Sequence, residues 1–139
     1  MLTLSNNDLQ LMNVLESKTG AMAKDVITTA DSVIFVVEKG QAGKVIGKKG
    51  ATINGLSHLL NKKIEVFENS DTIDSFLASF FSPAIIKDLK KNSNDGKTNI
   101  TIQMDPATKG LAIGRHGDRI KKARMIAKRL FQIDEIKVI

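Results

Sequence analysis

The chain has 139 residues, enough for one ordinary domain or two small ones, and 42% hydrophobic with 26% charged residues is the content of a folded globular protein. It has no cysteine, which removes disulfides and thiolate metal sites, and its two histidines, His58 and His116, are too few for a zinc site without heavy carboxylate help. The longest apolar runs, such as residues 33–37, are far too short to cross a bilayer and no signal peptide is evident, so a cytoplasmic protein with no membrane contact is expected.

In chain order, the first predicted element is a helix over about 6–19. Ser5 can cap it, with Asp8 at the third helical position, and Leu4 can staple onto Leu9. Leu9, Met12 and Leu15, with Leu11 alongside, form its apolar stripe, and Gly20 supplies the stop. Residues 25–29 and 33–38 are rich in β-branched side chains and predict two strands around Ala30-Asp31-Ser32. From Gln41 the pattern is helical, breaks at Gly47–Gly50, and resumes through Ile53, Leu56, Leu59 and Leu60, before 63–67 returns to strand alternation.

The second half repeats this order. Asp71 can cap a helix in which Ile73, Phe76, Leu77 and Phe80 recur at helical spacing, ended by Pro83. Strands are predicted at about 84–90 and 98–104 around Asn94-Asp95-Gly96, helices at about 106–113 and 118–131, and a last strand at 136–139. The two halves, 1–69 and 70–139, meet near Asn69-Ser70 with no flexible linker.

The repeat extends to individual residues. Gly43-Lys-Val-Ile-Gly47-Lys-Lys-Gly50-Ala-Thr-Ile53 lies over Gly110-Leu-Ala-Ile-Gly114-Arg-His-Gly117-Asp-Arg-Ile120, with five of eleven positions identical at an offset of 67. Charge gathers at the same places. Residues 41–67 carry five Lys against one acid, and 107–129 carry eight Lys or Arg against one acid, within a net charge of +6. Solvated helix faces would explain the charge alone, but a polyanion ligand calls for such clusters.

Physically, Ile-Gly-x-x-Gly followed by a helix gives a tight turn whose backbone a ligand can approach closely, because no Cβ stands in the way. The turn feeds the N-terminus of the next helix, where free N–H groups and the positive end of the dipole favour phosphate. Lys48-Lys49 in one copy and Arg115-His116 in the other add charge where a sugar–phosphate backbone would run. A single GxxG is weak evidence; two, each between helices and with basic interiors, form a specific constellation.

These stretches resemble the signature of KH domains, whose GxxG loop clamps backbone nucleotides. The element order resembles the type II KH arrangement, and implies an α+β fold of two tandem type II KH domains, each a three-stranded sheet backed by three helices. Ser82-Pro83-Ala84, Ala112 to Gly117, Ile120 and Ala123 look like the last KH domain of the NusA transcription factors. Over about 25–139 the chain resembles the paired KH module of that family in its short archaeal form, with no room for the polymerase-binding domain and oligonucleotide-binding barrel of the longer bacterial form.

That resemblance implies a monomer that binds single-stranded RNA in transcription termination or antitermination and associates with RNA polymerase. The expected RNA-binding residues are Lys44, Ile46, Gly47, Lys48, Lys49, Gly50 and Ile53 in the first half. In the second they are Ile113, Gly114, Arg115, His116, Gly117, Arg119, Ile120 and Lys122, with Arg115, Arg119 and Lys122 sharing the loop side by helical spacing. His116 serves equally as a contact or as an exposed loop residue, and His58 and Asp118 read as solvated and helix-favouring.

No catalytic residue, metal or cofactor is expected, since no carboxylate cluster, Ser/His/Asp set or metal spacing is present. Gly43 to Gly47 leaves three residues where a Walker A loop needs four, and Lys49 stands where a hydroxyl should bind magnesium. The six Phe, with Phe81 left open, lie in core-like patterns rather than as base-stacking platforms. A ribosome-associated or assembly factor with KH folds is the competing reading.

Overall fold

The computed structural model describes residues 6–139, which begin with helix α1 (Asn6–Thr19); the Ser5 cap and the Leu4 staple lie outside the described residues. Gly20 ends α1 at φ 76°, its N–H donating to the Glu16 carbonyl at 2.9 Å. Strands β1 (Ala23–Thr28) and β2 (Ser32–Val37) then form an antiparallel pair, and β3 (Lys63–Glu68) joins β2 in parallel, giving the order β1-β2-β3.

A parallel neighbour cannot be reached by a hairpin, so the chain between β2 and β3 must cross over one face of the sheet. Helices α2 (Ala42–Ile46) and α3 (Ala51–Leu60) make that crossover. Leu15 of α1, Val45 of α2 and Leu56 of α3 pack with Val26, Val33, Phe35, Val37 and Ile64 of the sheet in one buried cluster. The alternation 33, 35, 37 places those side chains on the helix-bearing face.

The second unit has the same plan. Helix α4 (Ile73–Phe81) precedes strands β4 (Ile86–Asn94) and β5 (Lys97–Met104), a crossover of α5 (Lys109–Ile113) and α6 (Asp118–Phe131), and β6 (Glu135–Val138). The sheet order is β4-β5-β6, again antiparallel and then parallel, and an irregularity in β4 between Ile86 and Asp88 matches the one in β1 between Ala23 and Asp25. Described separately, the chain comprises two compact units that divide between Ser70 and Asp71. It is thus a mixed α+β chain with two three-stranded sheets packed on helices.

Several local expectations change. Leu9 and Leu59 are 46% and 59% exposed rather than core, because α1 buries its Leu15 side and α3 its Leu56 side. Asp71 does not cap α4; Thr72 does, its hydroxyl accepting from the Ser75 N–H at 3.1 Å. Strands β4 and β5 run up to Asp95-Gly96, where left-handed φ values of 51° and 77° close a tight hairpin turn, so 91–94 are strand rather than loop. Helix α5 starts only at Lys109, because 105–108 fold into a turn in which Thr108 N–H donates to the Asp105 carbonyl at 2.9 Å. Phe81 is fully buried, and Phe76 lies 5.9 and 5.6 Å from Phe80 and Phe131 between ring centres, so these rings are core.

The cap assignment is testable. Thr72→Ala should lower stability by about 1 kcal/mol, read from the shift of the denaturant midpoint, while Asp71→Ala leaves it nearly unchanged.

Candidate nucleic-acid interface

Each crossover is interrupted by a glycine-bounded loop, Gly47–Gly50 and Gly114–Gly117, whose last three residues form a short 3₁₀ turn. The backbone is the same in both. Gly47 and Gly114 have φ/ψ of 74°/178° and 77°/176°, a region that essentially only glycine enters. Lys49 and His116 follow at 53°/29° and 56°/26°, and Gly50 and Gly117 at 77°/12° and 71°/16°. Lys and His rarely adopt the left-handed region, so each loop holds a non-glycine residue in an unfavourable conformation at the same position.

The glycines serve different ends. A Cβ on Gly47 would stand 2.7 Å from Thr52 Cβ and 3.0 Å from Thr52 N, and one on Gly114 would stand 2.7 and 2.9 Å from the same atoms of Arg119. The loop is thereby pressed against the first turn of the next helix. At Gly50 and Gly117 the nearest atoms are 3.8 and 3.9 Å away, so only the positive φ demands glycine there. Both also occupy the N-cap positions of α3 and α6, and no side chain caps either helix. The positive ends of two helix dipoles therefore meet the loops without an internal acceptor from a capping side chain.

Gly43 and Gly110 meet neither requirement. They lie within α2 and α5 without a left-handed φ, are exposed, and a Cβ on either would touch nothing within 4 Å. Glycine at such a site destabilises a helix, and among the described residues nothing requires it in either copy. Neither is among the site residues expected from the sequence, although both are identical in the repeat.

The other expected site residues separate into two sets. Lys44, Lys48, Lys49, Arg115 and His116 are exposed on the loops or the helix before them, and Ile46, 41% exposed, lies beside them. Ile113 is half-buried, and Leu111, at the place of Lys44, is 53% exposed. Ile53 packs against the first core and Ile120 is buried, so these two anchor the loops.

Arg119 and Lys122 have partners within their own unit. The Arg119 guanidinium lies 5.0 Å from the centre of the Phe80 ring and its Nη2 donates to the Phe80 carbonyl. Lys122 is 6% exposed and its Nζ is 3.1 Å from Asp118 Oδ2. Their contacts fasten α6 to α4 and brace its first turn. Among the described residues, no group of three or more His, Cys, Asp or Glu side chains gathers as a metal site would, and no helix is long and apolar enough to cross a membrane.

Residues 10–91 match the family model of the KH domain. The chain is 35% identical to the probable transcription termination protein NusA of Halococcus morrhuae, over 98% of this chain and 97% of that one. The protein of the same description from Halobacterium salinarum is 33% identical over 97% and 96%, and that from Methanococcus vannielii is 30% identical over 98% and 79%. The crystal structure of APE1850 superposes with a TM-score of 0.92 at 29% identity, covering 98% of this chain and all of that one.

Two glycine substitutions should separate folding from binding. Gly47→Ala should destabilise the chain by about 1–3 kcal/mol, whereas Gly43→Ala should stabilise it by about 0.5–1 kcal/mol. Thermal and denaturant unfolding give both signs, and a destabilised Gly43→Ala would show that the fold itself requires that glycine.

Proposed function

The chain belongs to the NusA family of KH-domain proteins, and on that footing we propose that it grips single-stranded RNA with two coupled GxxG clamps to act in transcription termination or antitermination. The observation that carries this reading is the duplicated loop, with one unusual backbone built twice, basic side chains between the glycines, and an uncapped helix start behind each. Phosphate oxygens accept from N–H groups at the loop and helix start, while Lys48, Lys49, Arg115 and His116 supply side-chain contacts. Ile46, Ile113 and Leu111 offer aliphatic surface to bases, and Gly43 and Gly110 let the strand approach the helix backbone. Gly50, Gly114 and Gly117 shape the loops, and Ile53, Ile120, Arg119 and Lys122 hold them in position. No chemistry is assigned to the chain; it binds RNA and associates with RNA polymerase as a monomer in the cytoplasm.

Coupling follows from covalent distance. Only four residues, 69–72, separate the end of β3 from the start of α4. Once one loop holds a strand, the other meets that strand at high effective concentration, so two weak grips add to more than either alone.

The first test replaces Lys48, Lys49, Arg115 and His116 together with Asp. Asp tolerates the left-handed backbone at 49 and 116, so the fold is retained. Affinity for an unstructured RNA should fall at least about tenfold, and the salt dependence should flatten with each lost phosphate contact. Wild-type protein should prefer that RNA to a hairpin stem of equal length. Unchanged affinity in the variant would remove the clamp assignment.

The second test inserts a long Gly/Ser segment after Glu68. Binding to an RNA long enough for both loops should weaken toward that of a single loop while each half stays folded. If affinity and salt slope stay as they were, the two clamps act independently.

A further inference from the structure

The two copies share one loop backbone, so a difference in the side chains placed on it is a difference in what each loop can hold. At the offset of 67, Lys44, Lys48, Lys49 and Ala51 of the first unit correspond to Leu111, Arg115, His116 and Asp118 of the second. All eight are exposed. Ile46 and Ile113 are common to both copies and do not distinguish them.

On the first loop the exposed set is three lysines, and the first turn of α3 behind it holds no acid. An ammonium group is a compact point charge on a flexible stem. It meets a phosphate oxygen from many directions and is indifferent to the base attached. No side chain of this set has a planar group or an acceptor atom with which to match a base edge.

The second loop carries the opposite set. Arg115 ends in a planar guanidinium with paired donors, and His116 in a planar ring whose nitrogens can donate and accept. Both shapes stack on a base and match its edge. Leu111, 53% exposed, puts an aliphatic side chain where the first unit has the Lys44 ammonium. Asp118 opens α6 with a carboxylate that is 61% exposed while its Oδ2 lies 3.1 Å from Lys122 Nζ. A carboxylate there already answers the helix dipole and repels phosphate, yet it can accept from N–H groups, which a base has and a phosphate lacks.

The other cations of 109–122 do not rebuild a lysine cluster on the loop. Arg119 lies over the Phe80 ring and Lys122 is buried. Lys109 is half-buried at the far end of α5, and Lys121 follows Asp118 by three residues on α6.

We propose that the two clamps divide recognition between them. Gly47–Gly50 holds any single strand through its phosphates, and Gly114–Gly117 selects the sequence, with Leu111, Arg115, His116 and Asp118 reading the bases. This step rests on the clamp reading above and adds which loop determines specificity.

The test uses the full chain and a pool of short unstructured RNAs of randomised sequence, sequenced before and after binding. The wild type should enrich a fixed motif. Leu111→Lys, Arg115→Lys and His116→Lys combined give each position the residue that the first unit holds there in the same backbone, so folding is retained. Affinity of this triple variant for the unselected pool should rise, with a salt slope steeper by about 0.7 for each added phosphate contact. Its affinity for the motif should fall, so that the motif's advantage over the pool shrinks at least about tenfold, the discrimination expected of one paired contact to a base. Lys48→Gln with Lys49→Asn should instead weaken binding to motif and pool by the same factor and flatten the salt slope.

A wild type that enriches no motif, a motif whose advantage survives the triple variant, or an advantage lost with Lys48 and Lys49 overturns the inference. Failure of the clamp reading appears separately, as unchanged RNA affinity in the four-residue Asp variant.

Discussion

Each half of this chain depends on a close approach between the α-carbon of one glycine and the first turn of the helix after it. Gly47 sits against Thr52 and Gly114 against Arg119, at distances that a single added carbon would violate. A β2-to-β3 or β5-to-β6 crossover must lie over one sheet face, and its two helices must turn sharply within a few residues. The glycine conformation near φ 75° and ψ 177° makes that turn, and the left-handed residues after it complete it. The same turn leaves the basic pair at the apex exposed and the next helix without a side-chain cap, so the requirement that builds the crossover also builds the candidate interface.

The two copies keep this turn and change what surrounds it. In the first unit the buried cluster is built from Ala, Val, Ile, Leu and one Phe. In the second, Phe76, Phe80, Phe81 and Phe131 form an aromatic cluster, and Arg119 lies over one of those rings. Burying Lys122 removes a charge from water, and Asp118 one turn back supplies a counter-charge at 3.1 Å. Two arginine or lysine positions that composition alone would count toward RNA are thus engaged within the fold. At the second loop the exposed basic groups are therefore fewer than the sequence suggests, with Arg115 and His116 between the glycines, whereas at the first loop Lys44, Lys48 and Lys49 are all exposed.

The edge of the second sheet follows another constraint. Among the described residues, strand β4 pairs on one side only, the kind of edge that can pair with another chain. Its exposed residues include Lys87, Lys90 and Lys91, charges of the kind that discourage edge-to-edge association. Part of the net charge of +6 is accounted for in this way.

Much of this was legible in the sequence because the signals are local. The β-branched run in 33–37, the helical spacing of Ile73, Phe76, Leu77 and Phe80, and the repeated Gly-x-x-Gly each depend on residues close together in the chain, and α6 falls at 118–131 as its pattern predicts. What failed was local competition or long-range placement. Thr72 rather than Asp71 caps α4, since either adjacent residue can cap and which one does depends on where the chain enters the helix. Leu59 has the apolar character of a core residue, yet which side of α3 meets the sheet is settled by the sheet, and Leu56 takes that side. Arg119 and Lys122 share the loop side by helical spacing, but Phe80 comes within reach of Arg119 only once α4 and α6 pack, whereas the Asp118–Lys122 pair lies within α6 itself. The freedom at Gly43 and Gly110 needed the structure too, because a sequence shows that a glycine is repeated and only the surrounding atoms show that nothing inside the chain requires it.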